Sequence, residues 1–282
     1  MPKLRIMILN AGRRAATRLR SILSLQQAAA RRPIAVAAVM VAAVGTAVEV
    51  AAVNPYPQLE AKARRFFAHG EWASASAIYD LMLEERPEVP TTYGEAIVSN
   101  AMRGDTAAQM RLMSVALDHQ VPFDSVFSQV KQWSFHLGKS HLYENFLKET
   151  RKAYPWMRRT IDGNLLKYFA FRRDGAEMVN YARLMLDGAP QNISFLHTLA
   201  WGYMLTGNDA EGVAAYERIL EIDSNDFDAL VALGNWYANT VAMAAPESAP
   251  KAIGYLERAY SCRPTPFIAA LLARLKGDVT KK

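Results

Sequence analysis

Residues 193–226 read ISFLHTLAWGYMLTGNDAEGVAAYERILEIDSND, and the fold is decided in this stretch. Apolar side chains recur three and four positions apart, first at Leu196, Leu199 and Tyr203, then at Val213, Tyr216, Ile219 and Leu220. Such spacing places them on one face of each of two successive helices. Between the two runs stands Gly207-Asn208-Asp209. Glycine tolerates the positive φ that closes a helix, and Asp209 is expected to cap the next one by accepting from its free N–H groups.

The same punctuation returns on either side. Gly70, Gly104 and Gly138 are spaced by 34 residues, and Gly207 follows 69 residues later. Prolines keep a second ruler: Pro87 to Pro155 is 68 residues, Pro155 to Pro190 is 35, and Pro190 to Pro264 is 74. The excess in the last interval lies in an insertion near 240–250. A third series, Tyr79, Met113, Leu147, Ala182, Tyr216 and Leu256, runs in the same phase until that insertion intervenes. Three rulers in one phase define helix–turn–helix units at 56–89, 90–123, 124–157, 159–192, 193–226 and 227–266. A helix over Phe267–Gly277 is expected to cover the exposed apolar end. No stretch of 57–276 alternates with period two, so the expectation is all-α.

A period of 34 residues with this content resembles the tetratricopeptide repeat family. Unit 193–226 carries the resemblance best, with Leu196, Leu199, Ala200, Tyr203, Gly207, Tyr216 and Ile219 at the family's packing positions. Gln109, Tyr143 and Met178 stand where the family has a small residue, so altered packing angles are expected in the second to fourth units. The resemblance implies a right-handed superhelix whose first helices line a concave face that holds a protein or peptide partner. Carried over unit by unit, the inward residues are Arg64 and Phe67; Val98, Ala101 and Met102; Gln132, Phe135 and His136. They continue with Lys167, Ala170 and Phe171; His197, Trp201, Met204 and Leu205; Asn235, Ala238 and Asn239. Rings supply contact area and amides bond a partner's backbone; the alternative is that the rings pack between repeats as core. The family's Lys/Asn and Lys/Arg clamp for chaperone C-termini is absent from the first and third units.

Charge divides the chain. Residues 1–53 carry eight basic groups and one acid, Glu49, which leaves 25 basic and 26 acidic residues in 54–282. The overall +6 is therefore N-terminal, and nucleic acid is not an expected partner. Residues 124–183 carry a net +5 between flanks of −3, a basic belt containing Arg151, Lys152, Arg158, Arg159, Arg172 and Arg173. This belt suits an acidic partner.

Residues 34–53, IAVAAVMVAAVGTAVEVAAV, have the length of a bilayer span, and Glu49 lies near its end. With the basic residues ahead of it, the positive-inside rule puts 1–33 in the cytoplasm and the repeats across the membrane. The domain plan is then a basic tail (1–33), a signal anchor (34–53), a linker (54–58), the repeats (59–266) and a C-terminal capping helix and tail (267–282). The alternatives are a cleaved signal peptide, with small residues at Val50-Ala51-Ala52, and an Arg-rich mitochondrial presequence.

Catalytic signatures are missing: no HExxH, no Gly-rich phosphate loop and no G-x-S-x-G occurs. One cysteine, Cys262, excludes an internal disulfide framework. No cofactor or metal is expected, and the reading is a non-enzymatic scaffold.

Overall fold

The computed structural model describes residues 56–242 and 248–279. They form α1 (Tyr56–Ala68), α2 (Trp72–Glu85), α3 (Pro90–Met102), α4 (Thr106–Asp118), α5 (Phe123–His136) and α6 (His141–Ala153). A 3-10 turn at Pro155–Met157 leads into α7 (Arg158–Arg172), α8 (Gly175–Asp187), α9 (Ile193–Leu205) and α10 (Asp209–Ile222). The chain ends with α11 (Phe227–Ala242), α12 (Ser248–Cys262) and α13 (Pro266–Val279). The described residues contain no strand, and the architecture is an all-α array of helical pairs closed by α13. The anchor expected at 34–53 and the basic segment before it lie outside the described residues. Among the described residues, no helix is long and apolar enough to cross a membrane.

The first helices of the first five pairs stop for the same backbone reason. Gly70, Gly104, Gly138 and Gly207 hold φ between 66° and 75°. In each case the glycine N–H donates three residues back and the next N–H five back, as Gly207 to Met204 (3.3 Å) and Asn208 to Tyr203 (3.0 Å). This is a left-handed helix stop that satisfies two orphan carbonyls. The ruler skips one glycine because Arg173 occupies the fourth stop, at φ 55°. The bonds are the same, Arg173 N–H to Ala170 (3.2 Å) and Asp174 N–H to Phe169 (3.0 Å).

Capping departs from the sequence expectation. Asn208, not Asp209, occupies the cap of α10 and makes no capping bond from its side chain. Asp209 is already inside the first turn, because the residue directly after the left-handed glycine takes the cap position. Where an aspartate directly follows the left-handed residue, its side chain caps the next helix. Asp105 accepts from Ala108 N–H (2.9 Å) and Asp174 from Glu177 N–H (3.2 Å).

The core follows the third ruler. Tyr79, Met113, Leu147, Ala182, Tyr216 and Leu256 are all buried, one per second helix. Four residues before each lies the residue that sets how closely a pair packs: Ala75, Gln109, Tyr143, Met178, Gly212 and Ala252, all buried. With Gly212 and Ala252, the pairs α9/α10 and α11/α12 lie close along their lengths. With Tyr143, α5 and α6 meet over a short stretch, and α5 lies along α3 instead. Gly94 permits that approach, since a Cβ there would sit 2.5 Å from the Gln129 Cβ. A bidentate ion pair ties α6 to α7: Arg151 Nε donates to Asp162 Oδ1 at 2.6 Å and Nη2 to Oδ2 at 3.2 Å. Asp162 is buried, and the bond to it raises the Arg151 pKa.

Candidate functional site

The first helices of the third to fifth pairs, α5, α7 and α9, wall a groove of about 730 Å³. Lys131 and Ser128 come from α5, Arg159 and Lys167 from α7, and Ser194 and Thr198 from α9. Helical spacing explains the selection: Ser128/Lys131 and Ser194/Thr198 are one turn apart on their helices, so each pair shares a face. Tyr143 also lines the groove and donates to Asn164 Oδ1 at 3.3 Å. Burial, with Asp124 adding to it, pushes the Tyr143 phenol up, so it stays a neutral donor. Asp124 is the one acid among the lining residues. Lys131 Nζ lies 5.8 Å from the Phe135 ring centre, and Arg159 donates to the Gly188 carbonyl at 3.3 Å. Lys167 is exposed. Three cations facing one carboxylate make this wall electropositive.

At the C-terminal ends of α5 and α7 the rings of Phe135 and Phe171 meet edge to face at 5.2 Å. Phe171 is 68 % exposed, an apolar ledge beside the basic wall. The Arg173 guanidinium lies 5.7 Å from the half-buried Trp201 ring. The expected inward residues Lys167, Phe135 and Phe171 are thus brought together.

Others are placed differently. Phe67 is 5 % exposed and sits among Trp72, Tyr79 and Trp133, so it is core and not groove wall. Val98 and Ala238 are likewise buried. His197 approaches Asp226 to 3.0 Å and sets its ring against Tyr216, which ties it to the start of α11 instead of the groove. Arg64 pairs with Glu60 at 2.8 Å, Met102 is half-buried against the core, and Gln132 and His136 are exposed on α5. Asn235 is half-buried and Asn239 exposed on α11. The basic belt is thinner than its count: Arg151 is bonded to Asp162 and Lys152 to Glu149 at 2.7 Å. Lys131, the groove cation that sequence reasoning did not single out, lies in the belt but apart from the six residues named for it. Its signal was its place one turn before Phe135.

A second cleft, of about 630 Å³, opens between α1, α3 and the end of α5. Phe67, Trp72, Trp133 and Glu95 line it, with Arg64 and His136. Only Arg64, Phe67 and His136 of these were expected in a site.

The geometry defines the class: an α-solenoid of helical pairs with a groove along its first helices. No protein-family model and no curated protein matches the chain. Among solved structures it is similar to the C-terminal part of a TPR repeat-containing protein from Cytophaga hutchinsonii, at 13 % identity and a TM-score of 0.40, covering 71 % of this chain and 77 % of that one. It is similar to a chain in the structure of Naa15/Naa10 bound to HypK-THB, at 15 % identity and a TM-score of 0.45; 80 % of this chain covers 34 % of that one. A TPR repeats protein from Bacteroides fragilis is similar at 16 % identity and a TM-score of 0.37, over 79 % of this chain and 98 % of that one. At these scores the likeness carries no argument about partner or activity.

Proposed function

We propose that this protein is a non-enzymatic, tetratricopeptide-like scaffold that holds an acidic, apolar-flanked segment of a protein partner along α5, α7 and α9. The observation that carries this reading is the groove itself, where Lys131, Arg159 and Lys167 line one wall with a single carboxylate among the lining residues. The Phe135/Phe171 ledge beside it offers area to an aromatic or apolar neighbour of the acid. Residues 34–53 act as the tether that places this groove on the non-cytoplasmic side of a membrane; their length and the basic residues before them support that role. The second reading, a soluble secreted or organellar adaptor, rests on the small residues at Val50-Ala51-Ala52, and N-terminal sequencing of the mature chain separates the two.

The experiment is crosslinking from Thr198 in intact membranes, with the captured protein identified and its binding segment mapped. Lys167→Glu should lower capture several-fold at low salt and less at high salt, because screening removes part of a surface charge's contribution. Phe171→Ala should lower it at either salt concentration. Variants that stay helical and retain full capture remove the groove from consideration.

A further inference from the structure

We propose that the cleft between α1, α3 and the end of α5 is a binding site for an organic cation, an alkylammonium or methylated ammonium group on an apolar stem. It is distinct from the groove described above and does not depend on the scaffold reading. The walls are aromatic: Phe67 meets Trp72 at 5.3 Å and 87°, and Trp133 at 5.2 Å and 68°. Phe67 is thus the buried floor, and the half-buried Trp72 and Trp133 offer the ring surface that attracts a cation through its quadrupole. The cleft also holds a carboxyl. Glu95 lines it while only 6 % exposed.

That carboxyl is poorly compensated from within the chain. Its cation, Arg64, stands at 3.9 Å and is 60 % exposed, while the same guanidinium makes a 2.8 Å pair with Glu60. Burial pushes the Glu95 carboxyl up. Behind it, the buried Tyr79 hydroxyl faces the same carboxyl without a hydrogen bond of normal geometry; burial first, and then Glu95, push the phenol up. A buried carboxyl on the cleft wall whose cation is distant and shared leaves a place for a ligand charge.

The alternatives fit less well. An anion entering the cleft meets the buried Glu95 carboxyl, and a neutral apolar group leaves that carboxyl uncompensated. A cation compensates Glu95 and lies against Trp72 and Trp133. Arg64 would then keep its bond to Glu60 and leave Glu95. The volume of about 630 Å³ holds a charged head together with its stem and neighbouring atoms.

The full-length protein, in a maltoside detergent free of choline headgroups, is titrated calorimetrically with choline and with a peptide bearing trimethyl-lysine. Neutral 3,3-dimethylbutanol, which has choline's shape without its charge, is the control. Binding of either cation supports the site. Equal affinity for both cations identifies the head alone as what is recognised, and binding of the peptide only identifies a side chain of a protein. Glu95→Gln and Trp133→Leu should each weaken the cation about tenfold. Arg64→Ala should tighten it severalfold by removing the internal competitor, an effect that loss of folding does not mimic. Binding of neither cation to the folded protein, equal binding of the neutral control, or weaker binding after Arg64→Ala overturns the proposal.

Discussion

Glu95 shows how one residue sets a pH dependence. Burial raises its carboxyl above the ordinary 4.5, outweighing the pull of the Tyr79 hydroxyl and then of Arg64 toward the charged form. An acid whose pKa is higher in the folded than in the unfolded state binds its proton more tightly when folded. Its stabilising contribution is therefore complete below the unfolded value and is lost as pH rises through the folded one. Glu95→Gln should accordingly make the protein more resistant to urea at pH 7.5, with the advantage shrinking toward pH 4. The measurement is a pair of denaturation curves at each pH. Lower resistance at pH 7.5 would mean that the Arg64 pair outweighs the burial. The same residue scale explains the fourth turn, where Arg173 adopts the left-handed conformation that glycine adopts elsewhere. The cost, about 1 kcal/mol for a side chain at positive φ, is offset in part by its guanidinium over Trp201.

At the scale of elements, the distance between helices is set by which residue faces the neighbour. Gly94 on α3 is the sharpest case. A methyl group there meets the Gln129 Cβ at 2.5 Å and the Gln129 carbonyl carbon at 3.1 Å, so α5 must move as a body. Gly94→Ala should cost about 2 kcal/mol, the range for overpacking a tight contact. Gly163→Ala on α7 is the control, because its methyl group meets only the flexible end of Met185, at 3.6 Å. There the gain in helix propensity, about 1 kcal/mol, should leave the protein as stable or more so. Urea denaturation of both variants checks the contrast, and similar losses at the two sites would show that α3 and α5 do not depend on this approach. The splayed third pair has the same origin. Tyr143 fills the seam that Gly212 leaves free in the fifth pair, so α5 turns to α3 for its contacts.

At the scale of the whole molecule, the repeats supply a surface, and an address is the role proposed for the N-terminal segment. If residues 34–53 tether the chain, alkaline carbonate should leave it in the membrane pellet, and a chain beginning at Asn54 should be recovered in the supernatant. Release of the full-length chain by carbonate would replace the tether with the soluble adaptor. The sequence by itself determined the all-α array of helical pairs. Glycine stops, prolines and the buried seam are local devices that act within a few residues, so their period is visible without coordinates. It also located the positive charge of the middle units and singled out Lys167, Phe135 and Phe171. Tertiary structure alone decided which cations stay available and which rings stay exposed. Arg151 is taken by Asp162 and His197 by Asp226, and Phe67 becomes core because Trp133, two units away in sequence, closes over it. The burial of Phe67 depends on how α5 turns toward α3, and the bulk of Tyr143 in one seam accompanies that turn. A period cannot express it, because a period assumes that every unit packs alike.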